Sequence, residues 1–205
     1  MEIILASGSP RRSEILHALG IDFSVILPDA DESSALTEPE RLTVELSRRK
    51  ALSVAAKPAV SEKGNSCLVI GCDTVVFCDG EILGKPHTKE NAGVMLRKLS
   101  GKTHKVVSGL CLVCGEKIIS AFDTTEVTFD TLTDRDIDIC VRYGAPEDKA
   151  GAYAVQGIAS LYIKGMAGDY FNVVGLPVHC FGRTLETGLG LKISDLLGGK
   201  DLRNG

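Results

Sequence analysis

The chain contains no apolar run approaching the ~20 residues that a membrane-spanning helix needs, and no signal-peptide pattern stands ahead of its first strand. It also lacks any excess of positive charge. Twenty-three basic residues face 27 acidic ones, for a net charge of −4, which argues against a broad nucleic-acid or membrane surface. An anionic ligand must therefore be met by a local cluster of cations. The four histidines show no metal-ligand spacing. The seven cysteines are an odd number with no export signal, so reduced thiols in the cytoplasm are expected rather than a disulfide framework. Cys111 and Cys114 form a CxxC, but it lies inside the apolar run Leu110-Cys111-Leu112-Val113, and no second pair complements it. Core packing is the preferred reading, and a redox role would require both thiols to be exposed. Internal repeats and low-complexity segments are absent as well. What remains, 44% apolar and 24% charged over 205 residues, suits an ordinary globular chain with one substantial core and room for two lobes.

The order of elements follows from apolar spacing and punctuation. Ile3-Ile4-Leu5 is a short buried strand that turns at Ser7-Gly8-Ser9-Pro10-Arg11-Arg12. Ser9 is a suitable N-cap and Pro10 a suitable first helical residue, so a helix is predicted from Arg11 to about Leu19, stopped by Gly20. Asp22 to Leu27 reads as a strand, and Asp29 to Ser34 as an acidic loop. Thr37 with Glu40 forms a capping box for a helix reaching Ala56. Pro58 to Asn65 reads as a surface loop. Cys67 to Cys72 is a buried strand that delivers Asp73-Thr74 at its C-terminal end, where ligands gather in α/β sheets. Asp79-Gly80 signals a hairpin, and Thr88 to Leu99 a helix. His104–Cys114 and Lys117–Phe129 are long β-rich runs joined at Gly115-Glu116. A helix follows from Thr133 to Tyr143, then a turn over 148–157, a strand at 160–163, a loop at 168–172 and a helix from Pro177 to about Thr187. Tyr153 and Phe171 are expected in the core. The expected fold is α/β, a twisted mixed sheet with flanking helices, because long hairpins interrupt the βαβ rhythm. Residues 1–193 form the domain; residues 194–205, polar and glycine-rich, have no core to join.

Polar groups at element ends carry the chemistry. Arg11, Arg12, Lys50 and Lys85 are cations; Glu32 and Asp73 are acids; Ser7, Ser9, Thr74 and Gln156 supply hydroxyl and amide groups. Two arginines on a glycine-serine turn, at the positive end of a helix, suit phosphate. Two carboxylates suit a hard divalent cation held largely through water. Gly84-Lys85-Pro86 is not a P-loop: the glycine spacing is wrong, and Pro86 replaces the hydroxyl that would hold magnesium. Taken singly, each residue has a plainer reading as a capped turn, a solvated helix face or an acidic loop. Composition and spacing alone reach only an anion site with acids nearby.

The ordered series Ser7-Gly-Ser-Pro-Arg-Arg12, Asp31-Glu32, Lys50-Ala51, Gly71-Cys-Asp-Thr74, Gly84-Lys-Pro86, Gly101-Lys-Thr-His104 and Val107-Ser-Gly109, followed by Lys149-Ala-Gly-Ala-Tyr153, Gln156-Gly157 and Phe171-Asn-Val-Val-Gly-Leu-Pro177, resembles the Maf family of nucleoside triphosphate pyrophosphatases. The resemblance spans residues 3 to 190. It implies two lobes around a central cleft and hydrolysis between the α and β phosphates of a nucleoside triphosphate, with magnesium or manganese as cofactor. Carried over, Asp73 is the general base and, with Glu32, a metal ligand. Arg12, Lys50, Lys85, Ser7 and Ser9 bind phosphate. Arg11, Thr74 and Gln156 mark the dTTP/UTP type, with CTP and modified pyrimidine nucleotides as further substrates. The resemblance further implies a house-cleaning role, a homodimer, and a tail that begins a linker to a methyltransferase-like domain. Ser108 departs from the threonine common in the family but keeps the hydroxyl. The alternative function is a nucleotide-binding regulatory module that has lost turnover.

Overall fold

In the computed structural model, which describes residues 1–197, the sheet is organised by one long strand. The strands are β1 (Glu2–Ala6), β2 (Ser24–Val25), β3 (Cys67–Cys78), β4 (Glu81–Leu83), β5 (Thr103–Cys114), β6 (Lys117–Phe129) and β7 (Ile163–Ala167). Their order is β2-β1-β3-β5-β6-β7, with β4 also pairing β3. β1 runs parallel to β2 and β3; the other pairs are antiparallel, so the sheet is mixed as expected. The helices are α1 (Pro10–Ala18), α2 (Pro39–Ala55), α3 (Pro58–Ser61), α4 (Lys89–Leu99), α5 (Asp134–Tyr143), α6 (Tyr170–Val174) and α7 (Val178–Thr184). Among the described residues, no helix is long and apolar enough to cross a membrane.

β3 continues six residues beyond the Cys72 end expected from sequence, because Val75, Val76 and Phe77 extend its β-forming run. Asp73 and Thr74 therefore lie in mid-strand. One edge of β3 pairs with β5 from Val69 to Phe77. The opposite edge pairs with β1 only as far as Gly71 and resumes with β4 at Val76. Between those two partners the sheet forks, and Asp73-Thr74 occupies the fork.

Strand alternation sorts the core around this feature. Ile3, Leu5, Leu68, Ile70, Leu110 and Leu112 face one way, against Leu16 of α1 and Phe181 of α7. Ile4, Ala6, Val69, Cys111 and Val113 face the other way, against Ala51 and Val54 of α2. Beyond the fork, Val76, Val106, Val127 and Phe129 pack with Leu96 and Leu99 of α4 and Ile137 of α5. Cys111 and Cys114 fall on opposite faces, and burial pushes both thiols above their usual range, so the CxxC is core packing.

α2 lies on the sheet at backbone contact. A Cβ on Gly109 would run into the Thr43 carbonyl, and one on Gly71 into the Ser47 carbonyl and Ala51. Thr43 and Ser47 bury their hydroxyls without orphaning them, by bonding back to Pro39 O and Val44 O (both 2.9 Å).

Several local expectations need correction. α2 begins at Pro39 with Glu38 at its N-cap, not at a Thr37 box, because proline suits the first helical position. Ser9 is the N-cap of α1, but its hydroxyl makes no cap bond; its N–H instead donates to Ser7 Oγ (3.2 Å). Residues 22–27 supply only a two-residue strand. The segments 58–65 and 168–172, expected as loops, include α3 and most of α6, the latter capped by Asp169. Residues 158–162 form a 3-10 turn, and the strand starts at Ile163. Phe171 is 38% exposed, since the inward position of α6 belongs to Asn172; Tyr153 is core as expected. Leu196 is buried and Leu197 bridges to Ile21, so the chain joins the core beyond residue 193. The rest of the expected tail, 198–205, lies outside the described residues.

Gly109→Ala is expected to lower stability by about 1–3 kcal/mol or more, because helix backbone rather than a flexible side chain must yield. Thermal unfolding checks this; an unchanged melting temperature would contradict the close seating of α2.

Candidate active site

The fork opens into a cleft of about 820 Å³, and all ten residues selected from sequence line it. They come from the β1–α1 turn (Ser7, Ser9, Arg11, Arg12), the acidic loop (Glu32), α2 (Lys50), mid-β3 (Asp73, Thr74), the loop after β4 (Lys85) and the 148–157 segment (Gln156). Five lysine and arginine side chains line it against three acids, a local positive excess in a net negative protein.

Asp73 and Thr74 point to opposite faces of β3, yet both reach the cleft because no neighbouring strand covers that edge. Asp73 shares the face of Gly71 and so meets α2. Lys50, one turn beyond Ser47 on the seated face of α2, donates to Asp73 Oδ1 at 2.6 Å and pairs with Glu32 Oε2 at 3.0 Å. Lys50 and Asp73 are buried there, whereas Glu32 is exposed. Lys50 is thus tied to both carboxylates rather than projecting alone toward a phosphate.

On the other face, Thr74 meets Arg12. The guanidinium donates from Nε to Gly175 O (2.8 Å), from Nη1 to Ser7 Oγ (2.9 Å) and from Nη2 to Thr74 Oγ1 (3.2 Å). Thr74 in turn contacts the fully buried Ser108 (2.8 Å). Arg11 reaches across to Asp148 at 3.5 Å. Asp148 also pairs with Lys149 (2.7 Å); burial works against its charged form, but Lys149 and Arg11 outweigh that and hold the carboxyl below its usual range. Lys85 and Gln156 are exposed at the rim.

Glu32 and Asp73 converge on one ammonium, and among the described residues no group of three acid, histidine or cysteine side chains forms a metal cage. Two carboxylates in a cleft suit magnesium or manganese, which take their remaining ligands from water and phosphate oxygens. The residues present therefore fit such an ion.

Sequence reasoning missed the Gly175 carbonyl, Asp148 and His87. A carbonyl leaves no trace in residue type. Asp148 shows itself only by adjacency to Lys149, and His87 by its left-handed backbone (φ 60°), which needs coordinates.

These observations define a mixed-sheet protein that gathers cations and two acids at a strand fork, and the chain belongs to the Maf family, matching that family of Maf-like proteins over residues 2–188. It is 41% identical over 186 residues to proteins named dTTP/UTP pyrophosphatase from Bacillus anthracis and Bacillus mycoides (strain KBAB4), and 40% identical to one from Bacillus thuringiensis subsp. konkukian (strain 97-27). Each alignment covers 90% of this chain and 94% of the relative.

Beneath the cleft, His104 Nε2 meets the hydroxyl of Tyr153 at 2.7 Å while its Nδ1 is buried without a partner. Burial pushes the imidazole down from 6.5 to about 4 and the Tyr153 phenol up. Between those two pH values the unfolded chain binds a proton at His104 that the folded chain refuses. Stability present above pH 6.5 is thus lost as the pH falls toward 4, by an amount on the order of 3 kcal/mol. Melting temperatures of the parent and of His104→Gln should diverge in slope across that window and run parallel above it.

Proposed function

We propose that the protein hydrolyses pyrimidine nucleoside triphosphates, dTTP and UTP foremost, to the monophosphate and pyrophosphate. The observation that carries this reading is the convergence of Arg12, Lys85 and the Lys50–Asp73–Glu32 cluster in one cleft, in a chain 41% identical to proteins named for that activity. CTP and modified pyrimidine nucleotides belong to the same substrate class.

Arg12 and Lys85, with the Ser7 and Ser9 groups, bind the triphosphate and neutralise the charge that develops as the α–β anhydride bond breaks. Asp73 is the general base. With Oδ1 held by Lys50, Oδ2 takes the proton of the water that attacks the α phosphorus, and pyrophosphate leaves. Lys50 aims that carboxylate and adds its charge to the phosphate side of the cleft. Glu32 and Asp73 would hold a divalent cation, which would supply Lewis-acid stabilisation of the phosphate oxygens. Arg11, Thr74 and Gln156 select the base; Gln156, exposed at the rim, offers both donor and acceptor to the O4 and N3–H edge of uracil or thymine. The family resemblance also supports a house-cleaning enzyme of the cytoplasm and a homodimer.

Pyrophosphate release from a panel of triphosphates with magnesium or manganese tests the reading. Turnover of dTTP or UTP, abolished by chelator, is expected, and Asp73→Asn should lower kcat by roughly 10²–10⁴-fold. No turnover with either metal, or an Asp73→Asn variant as active as the parent, leaves a nucleotide-binding module instead. In the same assay Arg12→Ala should impair every substrate, whereas Arg11→Ala should change the ranking among them.

A further inference from the structure

Two fully buried residues outside the lining of the cleft, Ser108 and Asn172, end a hydrogen-bonded run that begins at Arg12. Its two ends and its shortest contacts give it a direction. A guanidinium has only protons to give, and a carbonyl has none. Ser108 donates its single proton to the Asn172 carbonyl (3.0 Å), so in its 2.8 Å contact with Thr74 it must accept. Thr74, having given its proton to Ser108, can only accept from Arg12 Nη2. Thr74 has one other acceptor within reach, Gly175 O, at the longer distance of 3.5 Å; the shorter contacts run from Arg12 to Thr74 to Ser108 to Asn172 O.

Asn172 also governs the other edge of the guanidinium. Its amide donates to Val106 O (2.9 Å) and Thr125 Oγ1 (3.0 Å), which pins α6 onto β5 and β6. Thr125 spends its own proton on Asp169 O (2.9 Å), so its oxygen is the acceptor there. Three residues past Asn172, Gly175 O accepts Arg12 Nε. The geometry points to Ser108 and Asn172 as positioning residues that fix the pose of Arg12 from both edges, one through Thr74 and one through α6. The inference rests on Arg12 being a phosphate ligand of the proposed reaction.

The test is Ser108→Ala, alone and combined with Arg12→Lys, which keeps the charge but loses the fork. Ser108→Ala is expected to lower kcat/KM by roughly tenfold for every triphosphate turned over, the scale of one buried hydrogen bond, and to do nothing further in the Arg12→Lys background. Ser108→Thr should restore the parent value. An equal loss in both backgrounds, or no loss, overturns the proposal. A second arm needs no turnover. The arginine Nε–H resonance that disappears in Arg12→Lys should shift and exchange faster in Ser108→Ala, at a temperature where both proteins are fully folded. An unmoved resonance also overturns the proposal. If the parent hydrolyses no triphosphate, the functional reading fails separately and this resonance decides alone.

Discussion

The Lys50–Asp73 pair constrains everything around it. An ammonium and a carboxylate this deeply buried are tolerable only in contact, and removing one partner from such a pair typically costs 3–5 kcal/mol. Contact requires that α2 approach the sheet to backbone distance, which Gly71 and Gly109 alone allow at their positions. It also requires that the hydroxyls of Thr43 and Ser47 be satisfied within the helix. The chain thus spends two glycines and two back-bonded hydroxyls on seating one charged side chain beside the acid proposed as general base.

The fork in the sheet explains why neighbouring residues do different work. A strand turns alternate side chains to opposite faces, so Asp73 and Thr74 belong to different polar clusters. Asp73 joins Lys50 and Glu32; Thr74 joins Arg12, Ser7 and Ser108. Only because β1 stops at Ala6 and β4 begins its pairing at Val76 can both clusters open into the same space.

The sequence was most legible where side-chain type and spacing carry the signal. The mixed sheet, the long hairpin of β5 and β6, the capping box of α5 and ten of the residues that line the cleft are readable from residue type alone. Boundaries were less legible: β3 ran on through the acid, and Pro39 rather than Thr37 set the start of α2. What sequence hid were relations between backbone and side chain. The Gly175 carbonyl that grips Arg12, the inward amide of Asn172 that leaves Phe171 outside, and the direction of the hydroxyl run all depend on which atoms meet. Leu196 joined the core although its polar surroundings promised none.

β3 and β5 each traverse both sides of the fork in one piece, held to each other by a ladder that runs unbroken from Val69–Val113 to Phe77–Lys105. Lobes built this way cannot swing about a linker as hinged domains do, since any large rotation would have to tear that ladder. The opening between the two sides of the fork is therefore set by the fold itself rather than by a closing motion.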